Sequence, residues 1–320
     1  MGSFMRVLVT GGAGFIGSNF VEMALTDQFQ AISSVLVLDK LTYAGKLSNL
    51  DSVTHNPNFE FIQGDICDVE LVDKLVANID AIINFAAESH VDRSIENSSE
   101  FIRTNVLGTQ VLLDAAKKHG VIKFVQVSTD EVYGSILEGS WDENEPLLPN
   151  SPYSASKAAA DLLARSYFVT HGLNVSITRC SNNFGPKQDL EKLIPNFINK
   201  LNQGKKVPVY GDGLNVRDWL YVDDHCQGIY LTLTKGLAGE IYNIGGGTEL
   251  TNLELTRILI KIFQKDEDFI DYVPDRLGHD RRYSVNCSKI ENLGYTSSKH
   301  FERNLMTTVS WYKDILDVKS

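Results

Sequence analysis

RVLVTGGAGFIG, residues 6–17, places the glycine pattern G-x-G-x-x-G between an apolar strand pattern and a helical one. One glycine permits the tight turn, a second lets the backbone approach a phosphate, and Gly17 lets the helix pack close to the strand. A helix N-terminus at this point can bind a pyrophosphate. The stretch therefore predicts a dinucleotide site; the alternative is a tight turn without a ligand.

The same strand-to-helix rhythm continues as far as residue 185. Apolar runs of strand length recur at 7–9, 35–38, 59–62, 81–85, 124–127 and 175–178, with helical stretches between them. Because these runs are continuously apolar and not alternating, they indicate parallel strands covered on both faces by helices. The sequence predicts an α/β fold, a doubly wound parallel Rossmann sheet with a smaller mixed C-terminal lobe.

Composition excludes several classes of protein. The 320 residues carry 30 Lys and Arg against 41 Asp and Glu, a net charge of −11, so no nucleic-acid partner is expected. No apolar stretch reaches the roughly 18 residues of a membrane span. The four cysteines form no C-x-x-C pair, which predicts reduced thiols and no metal site. No signal-peptide pattern precedes the first strand, so we expect a cytoplasmic protein.

The residues after the second and third strands favour NAD as the dinucleotide. Asp39 follows Gly17 by 22 residues, where a carboxylate accepts hydrogen bonds from ribose hydroxyls and repels the 2′-phosphate of NADP. Lys40 partly offsets that repulsion. Asp65 and Ile66 are placed to hold adenine, although Asp65 is also ordinary turn chemistry.

Tyr153 and Lys157 are spaced i,i+4 at the start of a helix that Pro152 introduces, so their side chains share one face. The ammonium, helped by the positive nicotinamide ring, is expected to lower the pKa of the phenol, which then becomes a usable base at neutral pH. The spacing alone is common on exposed helices. Combined with the dinucleotide turn, it indicates a dehydrogenase-type site.

A second polar cluster, Thr129, Asp130 and Glu131, follows the strand at 124–127. Ligands bind at the carboxyl edge of such sheets, so these side chains are candidates for catalysis. Two adjacent acids suggest separate acid and base roles. The alternative is a solvated acidic loop.

Four motifs together resemble those of the extended short-chain dehydrogenases, and within them those of the dTDP-glucose 4,6-dehydratase family. They are TGGAGFIG at 10–17, AAESHVDRS at 86–94, STDEVYG at 128–134 and YSASK at 153–157. The resemblance covers nearly the whole chain and continues through RCSNNFGP at 179–186 and DRLGHDRRY at 275–283. Thr-Asp-Glu is the discriminating element, because the related sugar epimerases lack that acid pair.

The resemblance implies an NAD-dependent lyase that converts dTDP-glucose to its 4-keto-6-deoxy product. Tyr153 would take the proton from the 4-hydroxyl while C4 gives hydride to NAD, and Thr129 would hydrogen-bond the same oxygen. Glu131 would then remove the C5 proton, Asp130 would protonate the departing 6-hydroxyl, and hydride would return to C6 as a proton returns to C5. Lys157 would stabilise the phenolate.

The resemblance also implies two sets of binding residues. Those of the NAD site would be Gly11, Gly14, Phe15, Ile16, Gly17, Asp39, Lys40, Leu41, Thr42, Asp65, Ile66, Ala86, Ala87, Ser89, Thr104, Tyr153, Lys157 and Asn183. Those holding the nucleotide sugar would be Ser89, Thr129, Asn182, Lys192, Leu193, Pro208, Val209, Tyr210, Arg217, Asn243 and His279. Arg217 would clamp the diphosphate bidentately. Without the resemblance, Arg217 and His279 would be taken as a surface charge and a loop histidine.

We expect residues 1–185 to form the NAD-binding domain, with 220–246 returning to it, and residues 186–219 and 247–320 to form the nucleotide-sugar lobe. The family usually pairs two helices per subunit, which would place 104–119 and 153–170 in a homodimer interface. The alternative is that these apolar faces cover their own sheet.

One stretch departs from the family pattern. Lys187–Leu190 stands where an aromatic residue, Gln, a second aromatic and Pro are usual, and Leu277 stands where Pro is common. The departure leaves the choice between a thymine and a uracil nucleotide open. The alternatives are a UDP-sugar 4,6-dehydratase, a nucleotide-sugar 4-epimerase and, more distantly, a non-catalytic NAD-binding regulator.

Overall fold

The structure is a computed structural model that describes residues 4–26 and 28–317. Its strands are β1 (Met5–Thr10), β2 (Ile32–Asp39), β3 (Phe59–Gln63), β4 (Ala81–Asn84), β5 (Lys123–Thr129), β6 (Val175–Cys180), β7 (Asn182–Phe184), β8 (Val207–Tyr210), β9 (Val216–Tyr221), β10 (Ile241–Ile244), β11 (Glu249–Thr251) and β12 (Ile270–Val273). Its α-helices are α1 (Phe15–Ala24), α2 (Val69–Val76), α3 (Val91–Glu96), α4 (Ser99–Phe101), α5 (Thr109–His119), α6 (Pro152–His171), α7 (Leu193–Asn202), α8 (Val222–Lys235), α9 (Asn252–Ile262), α10 (Ser288–Glu291) and α11 (Phe301–Asp317).

A seven-stranded sheet in the order β10-β6-β5-β4-β1-β2-β3 forms the centre of the molecule. All six neighbouring pairs are parallel. The chain winds outward from β1 in both directions, so the strand order reverses between β1 and β4. That switch point opens a crevice at the carboxyl ends of the strands. The predicted doubly wound parallel sheet is confirmed.

Alternate residues of the strands feed two hydrophobic cores, one on each face of the sheet. Val7 and Val9 of β1 pack with Phe20 of α1 and with residues of α8, whereas Leu8 packs on the other face with residues of α2 and α5. Successive strand side chains point to opposite faces, so a strand covered on both faces must be apolar at every position. This is why the runs in the sequence do not alternate.

The C-terminal lobe is built around its own core. In it β9 pairs with β7 and β11, and β8 pairs with β12. Phe184, Ile198, Trp219 and Leu255 are buried together there, along with Leu305 of α11. By contrast, β10 returns to the large sheet and pairs with β6.

The helix expected at 104–119 differs from expectation in its first half. Residues Ile102–Gly108 form a π-helical turn that leads into α5. Asn105 in that turn is buried, donates to Ser156 Oγ at 2.8 Å and accepts from the Glu88 N–H at 2.8 Å. Wider turns of this kind are frequent at functional sites.

None of the described helices is long and apolar enough to cross a bilayer.

Candidate active site

The first loop forms a cradle of main chain at the N-terminus of α1. Gly11 has φ +67°, and a Cβ there would lie 2.7 Å from the Ala86 nitrogen. A Cβ on Gly17 would lie 2.3 Å from the Gly11 carbonyl oxygen. Gly14 caps α1 without any side-chain hydrogen bond, so no side chain of this loop occupies the N–H groups of the first turn. The cradle fits a pyrophosphate.

Asp39 ends β2 beside this cradle and fixes the loops around it. Its Oδ2 accepts from the Ala13 N–H at 2.9 Å and its Oδ1 from the Leu41 N–H at 2.8 Å. Burial raises the pKa of this carboxyl, and the two N–H donors oppose that rise. Leu41, assigned to the cofactor from sequence, contributes this main-chain contact.

Lys40 points to a carboxylate on the neighbouring loop. Its Nζ lies 3.0 Å from Asp65 Oδ2, and Nη1 of Arg103 lies 3.2 Å from the same oxygen. Burial acts to raise the pKa of Asp65, but the N–H of Cys67 and the Lys40 ammonium hold it below its ordinary value. Asp65 therefore partly neutralises the charge of Lys40. Lys40 then offsets less of the repulsion between Asp39 and the 2′-phosphate of NADP than the sequence suggested.

α6 presents Tyr153 and Lys157 from its first two turns. The helix begins with a capping box in which Ser151 accepts from the Ser154 N–H at 3.1 Å, and Pro152 occupies the first helical position. Lys157 is 4% exposed, and its Nζ donates to the Val127 carbonyl of β5 at 2.7 Å. The helix thus holds the ammonium directly under the end of the central strand.

The Tyr153 phenol is hard to ionise in the protein alone. Its pKa is raised well above the ordinary value, first by burial and next by the carboxylate of Glu131. Lys157 is not among the main groups that shift this pKa in the protein alone, so the lowering predicted from Lys157 and the nicotinamide ring together stays a prediction. A cation placed over the site would be needed to offset burial and Glu131.

Thr129 ends β5, and Asp130 and Glu131 begin the 3-10 helix Asp130–Tyr133 that follows it. Asp130 is 3% exposed and has one carboxylate oxygen without a partner within the described residues. Burial and the neighbouring Glu131 raise the pKa of Asp130 well above its ordinary value. A solvated acidic loop is therefore excluded, and an acid with a raised pKa stands beside a second carboxyl.

Basic side chains of the lobe surround Glu131. Burial raises the pKa of Glu131, while Lys192, Arg217 and Arg276, in that order, act to lower it. Arg276 lies within the DRLGHDRRY motif but is a residue that the sequence analysis did not select. Its buried Nε has no hydrogen-bond partner in the part of the chain that the structure describes. Three cations beside a carboxyl suit a diphosphate.

The glycine cradle, the Tyr153–Lys157 pair and the turn of the two acids share one cleft of ≈ 1570 Å³, part of which is open to solvent. It is lined by all the residues assigned to the cofactor except Leu41, and by Thr129, Asp130, Glu131, Asn182 and Lys192. Residues that line it without having been selected include Ala44, Gly45, Gly64, Phe85, Glu88, Gln188 and Asp189. Glu88 lies in the AAESHVDRS motif, but only the folded chain shows that it faces the cleft.

The remaining residues assigned to the sugar lie outside this lining: Leu193, Pro208, Val209, Tyr210, Arg217, Asn243 and His279. The rings of Tyr210 and His279 lie 6.3 Å apart at the lobe surface. Arg217 is buried and donates to the Asp280 carbonyl at 3.0 Å. Asn243 is fully buried between the Tyr133 hydroxyl and the Trp141 carbonyl, so its amide already has protein partners.

The sheet, the glycine cradle and the Tyr153–Lys157 pair define an extended short-chain dehydrogenase fold carrying a nucleotide-sugar type of site. The chain belongs to the family described as "GDP-mannose 4,6 dehydratase", whose sequence profile matches residues 8–308. A dTDP-glucose 4,6-dehydratase of Streptomyces antibioticus is 57% identical over 314 residues, which cover 97% of this chain and 93% of that protein.

Solved structures agree with this placement. A dTDP-glucose 4,6-dehydratase from Streptomyces venezuelae, solved with NAD and TYD bound, superposes with a TM-score of 0.96 at 55% identity and covers 97% of both chains. A UDP-glucose 4-epimerase from Thermotoga maritima, solved with UDP-glucose, gives a TM-score of 0.89 at 31% identity and covers 98% of this chain and 100% of that one. Since an epimerase shares the fold, the reaction has to be argued from the site.

Proposed function

We propose that the protein catalyses the NAD-dependent dehydration of dTDP-glucose to dTDP-4-keto-6-deoxyglucose. The observation that carries this proposal is the pairing, in one cleft, of Tyr153 and Lys157 with two acids, the buried Asp130 and the half-buried Glu131. Oxidation of a sugar hydroxyl needs only the first pair. Elimination of water from C5 and C6 needs the second.

NAD fits the residues present. Gly11 and Gly17 allow the close main-chain packing that shapes the cradle, the first turn of α1 has no side-chain cap, and Asp39 stands at the end of β2 to meet the ribose. When bound, NAD would supply the acceptor for the C4 hydride and the donor of the hydride to C6, with a proton returning to C5. Its positive ring would also oppose the effect of Glu131 on the Tyr153 phenol.

The chain's own groups divide the proton transfers. Tyr153 as phenolate takes the proton of the 4-hydroxyl, and Thr129 donates a hydrogen bond to that oxygen. The carboxylate of Glu131 removes the C5 proton, which the 4-keto group has made acidic. Asp130, kept protonated by burial and by Glu131, gives its proton to the departing 6-hydroxyl.

An epimerase is the second candidate, because of the shared fold. Epimerisation returns hydride to C4 and needs no base at C5. A buried Asp130 with a raised pKa would then have no proton to deliver, and its burial would be an unexplained cost. The site therefore favours dehydration.

The decisive experiment incubates the purified protein separately with dTDP-glucose and UDP-glucose. We expect the alkali-induced absorbance of a 4-keto-6-deoxy sugar and the mass loss of one water from dTDP-glucose alone. Turnover of UDP-glucose alone would support the dehydration but show that the substrate carries uracil and not thymine. Formation of a galactose nucleotide without loss of water would establish the epimerase, and turnover of neither would support an NAD-binding regulator.

We further propose that the protein is a homodimer. Ile95, Ile102, Leu107, Leu162 and Val169, on and around α3 to α6, are 42–61% exposed. A shallow apolar groove runs between the π-helical turn and α6, lined by Ile102, Val106, Leu107 and Leu163. Exposed apolar faces of this extent mark association sites. Light scattering at micromolar concentration should give twice the chain mass, and Leu107→Glu should give the single mass.

We propose the domain division expected from the sequence, with residues 1–185 and 220–246 binding NAD and residues 186–219 and 247–320 binding the sugar nucleotide. The pairing of β10 with β6 supports the return of the chain to the large sheet. We also propose a cytoplasmic location, supported by four free cysteines. Cell fractionation would test it.

A further inference from the structure

Behind the Tyr153 and Lys157 site, two charged side chains are almost completely buried against each other. Arg179 on β6 donates from Nε to Asp161 Oδ2 on α6 at 3.0 Å, and the two side chains are 3% and 1% exposed. A buried ion pair seldom adds net stability, because removing both charges from water costs as much as their attraction returns. A pair so placed therefore calls for a role other than stability.

One end of the pair stands next to the buried ammonium. Tyr153, Lys157 and Asp161 are spaced i, i+4 and i+8 on α6, so they lie on one face of the helix. The only hydrogen bond of Lys157 Nζ within the described residues goes to the Val127 carbonyl, which carries no charge. Burial lowers the pKa of Lys157, and Asp161 is the foremost group that opposes this. Asp161 thus acts on the Lys157 ammonium through space, from one turn farther along the same helix face.

The other end of the pair reaches the turn that carries the two acids. The Arg179 guanidinium lies over the ring of Tyr133, 4.7 Å from its centroid. Tyr133 closes the 3-10 helix that begins with Asp130, and its hydroxyl donates to Asn243 Oδ1 at 2.9 Å. Arg179 and Asn243 are register partners on β6 and β10. One buried chain of contacts therefore joins α6 to the acid turn.

We propose that Asp161 and Arg179 are positioning residues: Asp161 keeps Lys157 protonated, and Arg179 keeps Asp161 ionised and holds the turn of Asp130. Neither residue lines the cleft, so both act through other side chains. The inference rests on the proposed function, in which the charge of Lys157 stabilises the phenolate of Tyr153.

The expected direction follows from the charges around the cluster. Those that face it are Tyr153, Lys157 and Asp161 from α6, Arg179 and Cys180 from β6, and Asp130, Glu131 and Tyr133 from the 3-10 helix. With Asn at 161, no carboxylate on α6 offsets the ammonium, so Lys157 loses its proton at a lower pH. The phenol then loses the cation that lies one turn away on its own helix, and Tyr153 ionises at a higher pH.

The test compares D161N with the double variant D161N/R179M, which leaves no unpaired arginine in the core. In both we expect kcat with dTDP-glucose at neutral pH to fall about tenfold, the acid limb of the pH profile to move up by about one unit, and KM to change less than about twofold. Val76→Ala on α2, buried far along the sheet, is the control: it should lower Tm and leave the acid limb in place.

A second readout does not depend on turnover. The ultraviolet absorbance of tyrosinate is titrated in each protein and in its Tyr153→Phe partner, and the difference isolates Tyr153. An upward shift in D161N/R179M supports the proposal even if dTDP-glucose is not a substrate, in which case only the proposed function fails. An unchanged or downward shift overturns it. Loss of the folded state in the double variant would assign the pair to stability and overturn it too.

Discussion

Gly17 and Gly11 are needed for different physical reasons, although both belong to one short motif. At Gly17 the backbone is one that any residue adopts, but a Cβ would collide with the Gly11 carbonyl oxygen at 2.3 Å. At Gly11 the positive φ adds strain to a close contact with Ala86. Gly17 is therefore required only because of a close contact. Gly11 is required because of a close contact and because of its backbone conformation.

Gly17→Ala should destabilise the protein by about 1–3 kcal/mol, through overpacking, and weaken NAD binding at least tenfold. Gly120→Ala at the end of α5 is the control, since Gly120 has φ +67° with no atom within 4 Å of its Cβ position. It should cost about 1 kcal/mol through backbone strain and leave NAD binding unchanged. Urea unfolding measures the stability of the two variants, and calorimetric titration measures their affinity for NAD. Normal NAD binding by Gly17→Ala would contradict the cradle.

A buried acid that must donate a proton is active below its pKa, so the activity it supports disappears as pH rises through that pKa. Burial and Glu131 raise the pKa of Asp130, which places this loss above the ordinary range of an aspartate. Asp130→Asn should lower kcat about 10²- to 10⁴-fold and remove the alkaline limb that Asp130 causes. Steady-state rates across pH measure this, and an unaltered kcat would refute the acid role.

Glu131→Gln tests the base separately. In heavy water the wild-type protein should place deuterium at C5 of the product, and Glu131→Gln should slow both product formation and this incorporation by about 10²-fold or more. Mass spectrometry of the sugar reports it. Product formation at the wild-type rate would remove Glu131 from the elimination.

Among the secondary-structure elements, α6 is the one whose start decides the chemistry. Its capping box at Ser151 and Ser154 satisfies the first N–H groups, and the helix then presents Tyr153 within its first turn. The Tyr153 N–H also donates to Ser94 Oγ at 3.2 Å, which ties this turn to α3. A displaced first turn would therefore move the phenol before it moved Lys157.

Ser151→Ala should lower the free energy of unfolding by about 0.5–2 kcal/mol and reduce kcat severalfold. Thr251→Ala is the matched control, because α9 begins with the same kind of capping box far from the cleft. It should show the same loss in urea unfolding with an unchanged kcat. Equal effects of the two variants on kcat would show that the position of the first turn does not matter.

At the scale of the whole molecule, the stretch that departs from the family pattern bridges the two halves. Lys187 Nζ lies 2.6 Å from Glu22 Oε2 of α1, and Asp189 lies 3.4 Å from Lys46 Nζ. Gln188 and Asp189 line the cofactor side of the cleft. The sequence alone suggested that this departure affects the choice between a thymine and a uracil nucleotide. From the structure we expect it to affect the retention of NAD more than that choice.

Lys187→Met should raise the Kd for NAD about two- to fivefold, with a smaller difference at high salt, because one partly exposed ion pair contributes little. Arg257→Met, which removes the exposed pair with Glu267 on the lobe, should leave the Kd unchanged. The preference for dTDP-glucose over UDP-glucose should be the same in all three proteins. If Lys187→Met changed the preference between dTDP-glucose and UDP-glucose but not the Kd for NAD, the departing stretch would be assigned to recognition of the base.

The sequence by itself determined what depends on neighbouring residues along the chain. The apolar runs and the glycine turn predicted the doubly wound sheet, because strand period and turn geometry are local properties. The spacing of Tyr153 and Lys157 predicted their shared helix face for the same reason. The Thr-Asp-Glu motif identified the acids through resemblance, without showing that Asp130 is buried.

Only the tertiary structure decided which charges act on one another. Arg276 acts on Glu131 although the two residues are 145 positions apart in the sequence. Arg179 on β6 forms an ion pair with Asp161 on α6. It is also the fold that buries Tyr153 and brings Glu131 to it, and both raise the pKa of its phenol. Burial and electrostatic fields depend on distance through space, and no local pattern in a sequence records them.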